Sequence, residues 1–392
     1  MNKIILTLLF ATSFLFSESF ADYKKNQQQE FGQYKKDLET DFNNYKEIYK
    51  KELAQFRKDI YSNWGDKTTS SKTKWVEYSQ DKKTRKIVDF EKNLIIVEII
   101  SKATPKAVKR ELYKEAIKTI SASPKKAYEK DILAKNVDKK FSRVSKTPFL
   151  KKSIQDTKSI IKSVILPRNS STTNIVRYIT KKKSKVQIRK AKNSRAKIYS
   201  MKIKLPKYFP LKKAKELKYK VAKNSKRFKI KRELIYAIIH SESGFNPLST
   251  SGIPAYGLMQ IVPRSAGIDA YQMVYKKKRI LSSSYLYDPT NNLEMGSAYL
   301  HILYYRYLKK ITNPESRMYC VISAYNTGAG NVSRAFDSGS RKGRLKRAIK
   351  VINRMTPQQV YKTLIRKLPH KETQVYLGRV SKRVKTYKNL GL

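Results

Sequence analysis

The stretch IIHSESGFNP, residues 238–247, places a carboxylate at the end of an apolar run, just before a glycine and a proline that end helices. Glu242 follows Ile238 by four residues and Ile235 by seven, so a helix puts all three on one apolar face. Apolar surroundings disfavour the anion, and we therefore expect a raised pKa for Glu242. Such a carboxyl group suits a general acid, whereas a glutamate at the end of a surface helix is commonly solvated or paired.

The residues around Glu242 offer no obvious catalytic partner. Asp269 is the only acidic residue between Glu242 and Asp288, and His240, two residues away, points elsewhere on a helix. No nearby grouping of His, Cys or carboxylates has metal-site spacing, so we expect neither a metal nor a cofactor. A two-carboxylate hydrolase therefore lacks local support, although folding could bring a distant Asp to the site.

The charge of the chain predicts a polyanionic partner. Its 392 residues include 87 Lys and Arg against 30 Asp and Glu, a formal charge of +57. Residues 1–21 resemble a secretory signal peptide, with an apolar run and small residues before a cleavage site after Ala21. Export favours cell-wall polymers, membrane phosphates or extracellular DNA over cellular nucleic acid. The alternative explanation of the leader is an uncleaved anchor. The alternative explanation of the charge is a compositional bias of the source proteome.

The cysteine content predicts where the exported protein resides. Cys320, in an apolar run, is the only cysteine, so the chain can form no internal disulfide, and we expect a core residue. No cysteine follows the leader to carry a lipid. We therefore expect a protein of the periplasm that is not lipid-anchored.

The pattern along the chain predicts three regions after the leader. Apolar residues at steps of three and four in residues 22–65 indicate a charged amphipathic helix that packs on the protein itself or on another helix. Residues 66–205 should form an α+β domain, and residues 206–392, which lack useful strand alternation, an all-α domain. The predicted fold class is thus α+β overall.

Three local patterns define the expected α+β domain. The apolar runs around Glu91, Lys92 and Asn93 predict a hairpin, and a second hairpin is expected around Asn193–Ser194. Thr104 followed by a proline predicts a helix cap, with the helix reaching about Ile120. Residues 123–185 are basic and weakly periodic, and they predict no definite elements.

Two further stretches combine a glycine-rich turn with an amide and a tyrosine. AYGLMQIVPRSAG, residues 255–267, contains Gln260 near Tyr256, and SAYNTGAGNV, residues 323–332, contains Asn326 next to Tyr325. Amides and phenols suit the recognition of sugar hydroxyl and acetamido groups. Each stretch taken alone also fits a helix cap beside core aromatics.

Together with the Glu242 stretch and KETQVYLGRV, residues 371–380, these motifs resemble in order and spacing the soluble lytic transglycosylase family. YLYDPTNNLEMGSAYL, MTPQQVYKTL and VDFEKNLIIVEII are similar to segments of its murein transglycosylase C group. The resemblance implies a C-terminal lysozyme-like domain of the goose type after a smaller α+β domain. The missing anchoring cysteine departs from the membrane-bound character of that group.

The resemblance also implies roles for individual residues. Glu242 would be the single catalytic acid and base, with Ser243 orienting the carboxylate or substrate. The substrate-binding residues it implies are Ser243, Met259, Gln260, Tyr325, Asn326 and Tyr376. The implied reaction cleaves peptidoglycan strands without water, in cell-wall remodelling or turnover, and leaves 1,6-anhydromuramyl ends. A hydrolytic muramidase of the same fold and an inactive binding protein for polyanions or cell wall are the alternatives.

Overall fold

A computed structural model describes residues 20–167, 169–182, 184–192, 195–252 and 254–392. Residues 1–19, which carry most of the predicted signal peptide, lie outside this description. Within the described part, no helix combines the length and apolar character needed to cross a bilayer.

The charged amphipathic segment forms one long helix, α1 (Phe20–Trp64). Its stripe packs on the protein's own body, where Tyr45 and Tyr49 are buried. The Tyr45 and Tyr256 hydroxyls lie 2.7 Å apart, and the Tyr49 hydroxyl donates to the Ser251 carbonyl oxygen at 3.1 Å. The helix therefore connects directly to the loop that follows Glu242 in the chain.

A five-stranded antiparallel sheet forms the centre of the N-terminal part, with strand order β1-β2-β3-β6-β5. Its strands are β1 (Lys74–Tyr78), β2 (Thr84–Asp89), β3 (Leu94–Ser101), β5 (Val186–Lys190) and β6 (Lys197–Lys204). Asp89 pairs with Leu94, which confirms the first predicted hairpin. Lys190 pairs with Lys197 as the second hairpin requires, but its expected turn, Asn193–Ser194, lies outside the described residues.

Helices predominate between β3 and β5, including residues 123–185, for which the sequence predicted no definite elements. Helix α2 (Pro105–Ser121) begins as expected, because the Thr104 hydroxyl accepts a hydrogen bond from the Ala107 N–H. The elements after it are α3 (Pro124–Glu129), α4 (Ile132–Val144), β4 (Phe149–Leu150), α5 (Lys162–Ile165) and α6 (Thr172–Lys181). Ser123, Asp131 and Ser171 cap three of them. Several of these helices are too short to show a clear apolar period among their many lysines.

The C-terminal part is helical, as expected from its sequence pattern. Its helices are α7 (Phe209–Glu216), α8 (Lys218–Phe228), α9 (Arg232–Glu242), α10 (Ala266–Tyr275), α11 (Ser283–Tyr287), α12 (Pro289–Ile302), α13 (Pro314–Thr327), α14 (Ala329–Phe336), α15 (Arg344–Ile352), α16 (Pro357–Lys367) and α17 (Lys371–Asn389), with a π-helical turn at Leu303–Tyr307. One short exception is strand β7 (Ile280–Leu281), which pairs in parallel with β4. The α+β class is therefore correct.

The buried core continues across the predicted boundary near residue 205. One apolar cluster extends from Tyr45 to Leu392. Phe209, at the start of α7, is fully buried, and its ring lies 6.1 Å from that of Phe90 beside the sheet. The domain limits themselves stay predictions, but the two parts share their packing.

Candidate active site

Glu242 is the last residue of α9, and only 4% of it is exposed. The helix packs against α17, and most of its residues are buried apolar side chains. The chain leaves the helix through Gly244 and Phe245, whose φ angles are 60° and 70°. A side chain at Gly244 would also meet Phe90 at 3.5 Å, so the sheet closes over this turn. Glu242 is therefore held where both parts of the protein meet.

The surroundings of Glu242 favour its protonated form. Burial is the largest effect, and it raises the pKa of Glu242 above the ordinary value. Glu372 raises that pKa further, whereas Lys72, Arg379 and the Tyr376 hydroxyl act in the opposite direction. The balance agrees with the pKa expected from the sequence.

Two tyrosines face the Glu242 carboxyl group. Its charge helps to raise the pKa of both Tyr325 and Tyr376, in addition to their burial. The Tyr325 hydroxyl donates to the Met259 carbonyl oxygen at 2.8 Å. The Tyr376 hydroxyl is buried beside the Glu242 carboxyl group and interacts with it, and no other described residue forms a hydrogen bond with it. A hydroxyl group can donate and accept, so Tyr376 can also bond a group that enters the site beside Glu242.

Ser243 has its hydroxyl engaged by the backbone. The hydroxyl lies 3.0 Å from the Ile239 carbonyl oxygen and 2.8 Å from that of Leu258, and it accepts a hydrogen bond from the Phe245 N–H at 3.1 Å. The residue is fully buried. In this structure Ser243 ties the end of α9 to the neighbouring turn and forms no hydrogen bond with the Glu242 carboxylate.

Asn292, on α12, fixes the turn that contains Met259 and Gln260. Its amide donates to the Tyr256 carbonyl oxygen at 2.7 Å, and its amide oxygen accepts from the Met259 N–H at 2.8 Å. The contact requires Gly257, since a side chain there would come within 2.3 Å of that amide. Asn292 lies in the quoted segment YLYDPTNNLEMGSAYL, but the sequence assigned it no role, and the packing shows that it holds this turn.

Met259 and Gln260 differ in what they offer to a ligand. The Met259 side chain is fully buried, and its sulfur would lie 2.3 Å from any side-chain carbon at Gly296. Gln260 has a φ of 49°, and its amide nitrogen donates to the Gly257 carbonyl oxygen at 3.2 Å. The Gln260 amide oxygen is buried without a partner. Gln260 thus has an acceptor to offer, whereas Met259 supports the turn from behind.

Asn326, near the end of α13, contacts α17. Its amide oxygen accepts a hydrogen bond from the Thr373 hydroxyl at 2.7 Å. Thr373 lies one helical turn before Tyr376, so Asn326 and Tyr376 are positioned by the same helix pair. The structure thus brings Glu242, Tyr325, Asn326 and Tyr376 to adjoining helix ends and faces.

Three charged residues near Glu242 were missed by the sequence reasoning. Lys72, from the loop before β1, forms a salt bridge of 2.9 Å with Glu372 at the start of α17. Arg379 lies one turn beyond Tyr376, with its guanidinium 5.8 Å from the tyrosine ring. Glu372 and Arg379 lie in the KETQVYLGRV motif, from which only Tyr376 was singled out, and Lys72 is one of many lysines.

The remaining chemistry-bearing residues lie apart from the Glu242 carboxyl group. His240 points toward α17, where its Nδ1 lies 3.0 Å from the Tyr387 hydroxyl. Burial and the nearby Arg383 and Arg379 lower the pKa of His240 to about 3. Cys320 is a fully buried core residue, and burial raises its thiol pKa. Among the described residues, no group of three His, Cys, Asp or Glu side chains could hold a metal ion.

Comparison with known proteins gives two family matches. The model of the transglycosylase SLT domain matches residues 220–347. The model of the N-terminal domain of membrane-bound lytic murein transglycosylase C matches residues 34–215.

Relatives match over most of the chain. A protein of Serratia proteamaculans named membrane-bound lytic murein transglycosylase C is 34% identical over 338 residues, which cover 86% of this chain and 88% of the relative. A protein of the same name from Photorhabdus laumondii is 34% identical over 337 residues, with the same coverage. The solved 70 kDa soluble lytic transglycosylase of Escherichia coli is 22% identical, with a TM-score of 0.34, over 44% of this chain and 24% of that one. This last likeness is too low to carry an argument.

These names correct the predicted localisation. A periplasmic protein without a lipid anchor was expected from the missing cysteine after the leader, but the relatives are named membrane-bound. The expectation was wrong because one residue type was taken to decide attachment, and the leader itself lies outside the described residues.

Proposed function

This chain belongs to the membrane-bound lytic murein transglycosylase C family and is a peptidoglycan-cleaving lytic transglycosylase, and on that premise we propose which bond it cleaves and how. The bond is the β-1,4 link between N-acetylmuramic acid and N-acetylglucosamine. It is broken without water and leaves a 1,6-anhydromuramyl end, as in remodelling or turnover of the wall. The observation that carries the proposal is the buried Glu242, whose surroundings raise its pKa.

In the first step, Glu242 acts as a general acid. Its carboxyl proton moves to the bridging oxygen as the C1–O bond breaks, and the muramyl C1 develops oxocarbenium character. A carboxyl group with a raised pKa holds this proton at a pH where an ordinary glutamate has lost it. Burial therefore supports the acid role.

In the second step, the same residue acts as a base. Glu242, now a carboxylate, removes the proton from the C6 hydroxyl of the muramyl sugar as that oxygen bonds to C1. The nucleophile belongs to the reacting sugar, so its effective concentration is high and no second carboxylate is needed to activate water. Glu242 ends the cycle protonated.

The other predicted site residues receive positioning roles in this proposal. The Gln260 amide oxygen, which is buried without a partner, would bond the sugar, and so would the Tyr376 hydroxyl beside Glu242. Tyr325 and Asn326 would orient the muramyl unit beside Glu242. Met259 and Ser243 would contribute through the turn and helix end that they hold, as their contacts suggest.

The closest rival is a hydrolytic muramidase of the same fold. The observation in its favour is Glu372, a second carboxylate near Glu242 that the sequence reasoning missed. Glu372, however, is paired with Lys72, and its side chain is 68% exposed. Its pKa is lowered, mainly by the hydrogen bond from Lys72, so it is a paired surface anion.

Product analysis separates these reactions. Isolated sacculi are digested with the full chain, and the fragments are identified by mass spectrometry. Transglycosylation gives anhydromuramyl ends, which are lighter by one water than the reducing ends produced by hydrolysis. Predominantly reducing ends would favour the muramidase. Sacculi that bind the protein but release no fragments would favour the inactive binding protein.

The charge of +57 supports a second, weaker kind of contact with the wall. Carboxylates of stem peptides and phosphates of envelope polymers or membrane surfaces would attract this cation at long range. Such attraction is screened by salt. Retention of Glu242→Gln on sacculi should therefore fall as salt rises, and retention independent of salt would argue against the contact.

A further inference from the structure

A cavity of about 480 Å³ lies between α1, the sheet and α4, and Glu242 does not line it. Its walls include the rings of Tyr49, Trp75 and Tyr287, each at most 5% exposed. Ligand pockets commonly have this size and an aromatic lining with a few polar groups. The cavity is therefore large enough for several amino-acid residues of a peptide.

A carboxylate stands in the wall of this cavity. One oxygen of Asp131 accepts the Ala134 N–H at 2.9 Å and caps α4. The pKa of Asp131 is raised to about 6, mainly by burial and also by the nearby Asp138 and Glu77 carboxylates. The charge of Asp131 in turn raises the pKa of Tyr49 and Tyr287.

The groups that act on Asp131, or that it acts on, are two phenols and two carboxylates from four elements. They are Tyr49 on α1, Glu77 on β1, Asp138 on α4 and Tyr287 on α11. Glu77 is already paired with Lys86 and Lys130. Asp131 is a partly buried carboxylate that forms no salt bridge with a described residue, and such a group attracts a cation, as aromatic faces also do. This part of the cavity suits a ligand ammonium group.

The rim of the cavity has the opposite charge. Arg57, Lys72 and Lys130 line it, all partly or largely exposed. Lys72 also pairs with Glu372 and acts on the pKa of Glu242, so it borders both the cavity and the catalytic carboxyl group. The Thr250 hydroxyl is buried at the same edge, where it acts on the pKa of Tyr49 and of Tyr287. A ligand with an ammonium group and carboxylates would match this arrangement.

Resting on the proposed function, we propose that the cavity binds the stem peptide of the strand being cleaved, with the ammonium group of its diamino acid at Asp131 and its carboxylates at the basic rim. A stem peptide carries both kinds of charge and is attached to the muramyl sugar that reacts at Glu242. The Ser71–Lys72 segment connects the two sites: the Ser249 hydroxyl donates to the Lys72 carbonyl oxygen at 2.6 Å, and the Thr250 N–H donates to that of Ser71 at 3.4 Å. The cavity therefore selects strands that still bear stems.

A binding experiment tests the contact directly. The full chain carrying Glu242→Gln is titrated in a calorimeter with a synthetic stem tetrapeptide that has a free side-chain amine, and with the same peptide acetylated on that amine. Acetylation removes the charge-assisted hydrogen bond to Asp131, so the acetylated peptide should bind about tenfold or more weaker than the free-amine peptide. Asp131→Asn added to this protein should weaken binding of the free-amine peptide equally and remove the difference between the two peptides.

The substitution leaves the fold intact, because asparagine caps helices as well as aspartate does. Asp337→Asn is the matched control, since Asp337 pairs with Arg347 far from the cavity lining. It should change neither titration. Equal affinity for both peptides, no binding, or no effect of Asp131→Asn would overturn the inference.

A kinetic experiment separates this inference from the proposed function. The value of kcat/KM is measured for intact glycan strands and for strands freed of stems by an amidase. We expect a higher kcat/KM for stem-bearing strands than for stem-free strands. Asp131→Asn should lower the ratio of these two values, and Asp337→Asn should leave it unchanged. If both strand types yield anhydromuramyl ends equally well, the cavity inference fails and the proposed function stands. If neither yields them, the proposed function fails, and the peptide titration still tests the cavity.

Discussion

Lys72 and Glu372 form a salt bridge of 2.9 Å beside Glu242, although 300 residues separate them in the chain. Lys72 comes from the loop before the first strand of the N-terminal sheet, and Glu372 from the first turn of the last helix. Both charges act on the pKa of Glu242, with opposite signs. The electrostatics of the candidate active site therefore depend on both parts of the chain.

This relationship predicts opposite shifts in the pH dependence of activity. The acid form of Glu242 starts the reaction, so activity should fall as pH rises through its pKa. Lys72→Met removes a cation that lowers that pKa and should move the fall to higher pH. Glu372→Gln removes an anion that raises it and should move the fall to lower pH. Rates of anhydromuropeptide release across pH measure both.

Lys74→Met is the matched control for the first substitution. Lys74 pairs with Asp89, and its charge is not among the main influences on Glu242. Its pH profile should match that of the unaltered protein. Shifts of the same sign for Lys72→Met and Glu372→Gln would contradict the assignment, and complete inactivity of Glu372→Gln would support a muramidase that uses it.

Glu242→Gln should abolish most activity without harming the fold. The amide keeps the size of the side chain but can neither give nor take the proton, so the rate should fall by at least ~10²-fold. Release of anhydromuropeptides measures it. Glu233→Gln, in the first turn of the same helix, is the control and should stay active. Near-normal activity of Glu242→Gln would overturn the mechanism.

The same substitution should alter how stability depends on pH. The folded pKa of Glu242 lies above its unfolded value, so its contribution to stability is fully present below the unfolded pKa and is lost as pH rises through the folded pKa. Glutamine has no such loss. The melting temperature of Glu242→Gln should thus match that of the unaltered protein near pH 4 and exceed it at pH 8. If the melting temperature of Glu242→Gln exceeds that of the unaltered protein by the same amount at both pH values, ionisation of Glu242 is not the cause.

Ser243→Ala distinguishes a structural role from contact with substrate. The hydroxyl is fully buried and bonds the backbone around the helix end, so its removal should lower the free energy of unfolding by about 1–3 kcal/mol. Denaturant titration measures this loss. An unchanged stability combined with a large rise in KM would instead favour the orientation of substrate that the resemblance implied.

Gly257→Ala should disrupt the turn that carries Gln260. Its φ of 77° is strained for alanine, and the added carbon would lie 2.3 Å from both the Asn292 amide and the Leu286 carbonyl oxygen. We expect a loss of stability of about 2 kcal/mol or more. Gly330→Ala, at an exposed position of helix α14 with open space around it, should be neutral or slightly stabilising. Similar thermal melts for the two variants would contradict this account.

Much of the fold followed from local sequence patterns. The hairpin at Asn93 and the helix capped by Thr104 are set by turn residues, caps and apolar periods, which act within a few residues. The same local logic predicted the burial and raised pKa of Glu242. Local patterns did not predict the elements of residues 123–185, because the helices there are short and rich in lysine and tertiary packing stabilises them.

The sequence by itself determined the fold class, the family and the burial of the acidic residue Glu242. Tertiary structure alone decided what surrounds that acid, because the groups that act on it through space come from distant parts of the chain. Lys72 reaches it from the N-terminal loop, and Asn292 holds the Gln260 turn from another helix. Charge and packing depend on distance in space, and no spacing in the sequence records the distance between Lys72 and Glu372.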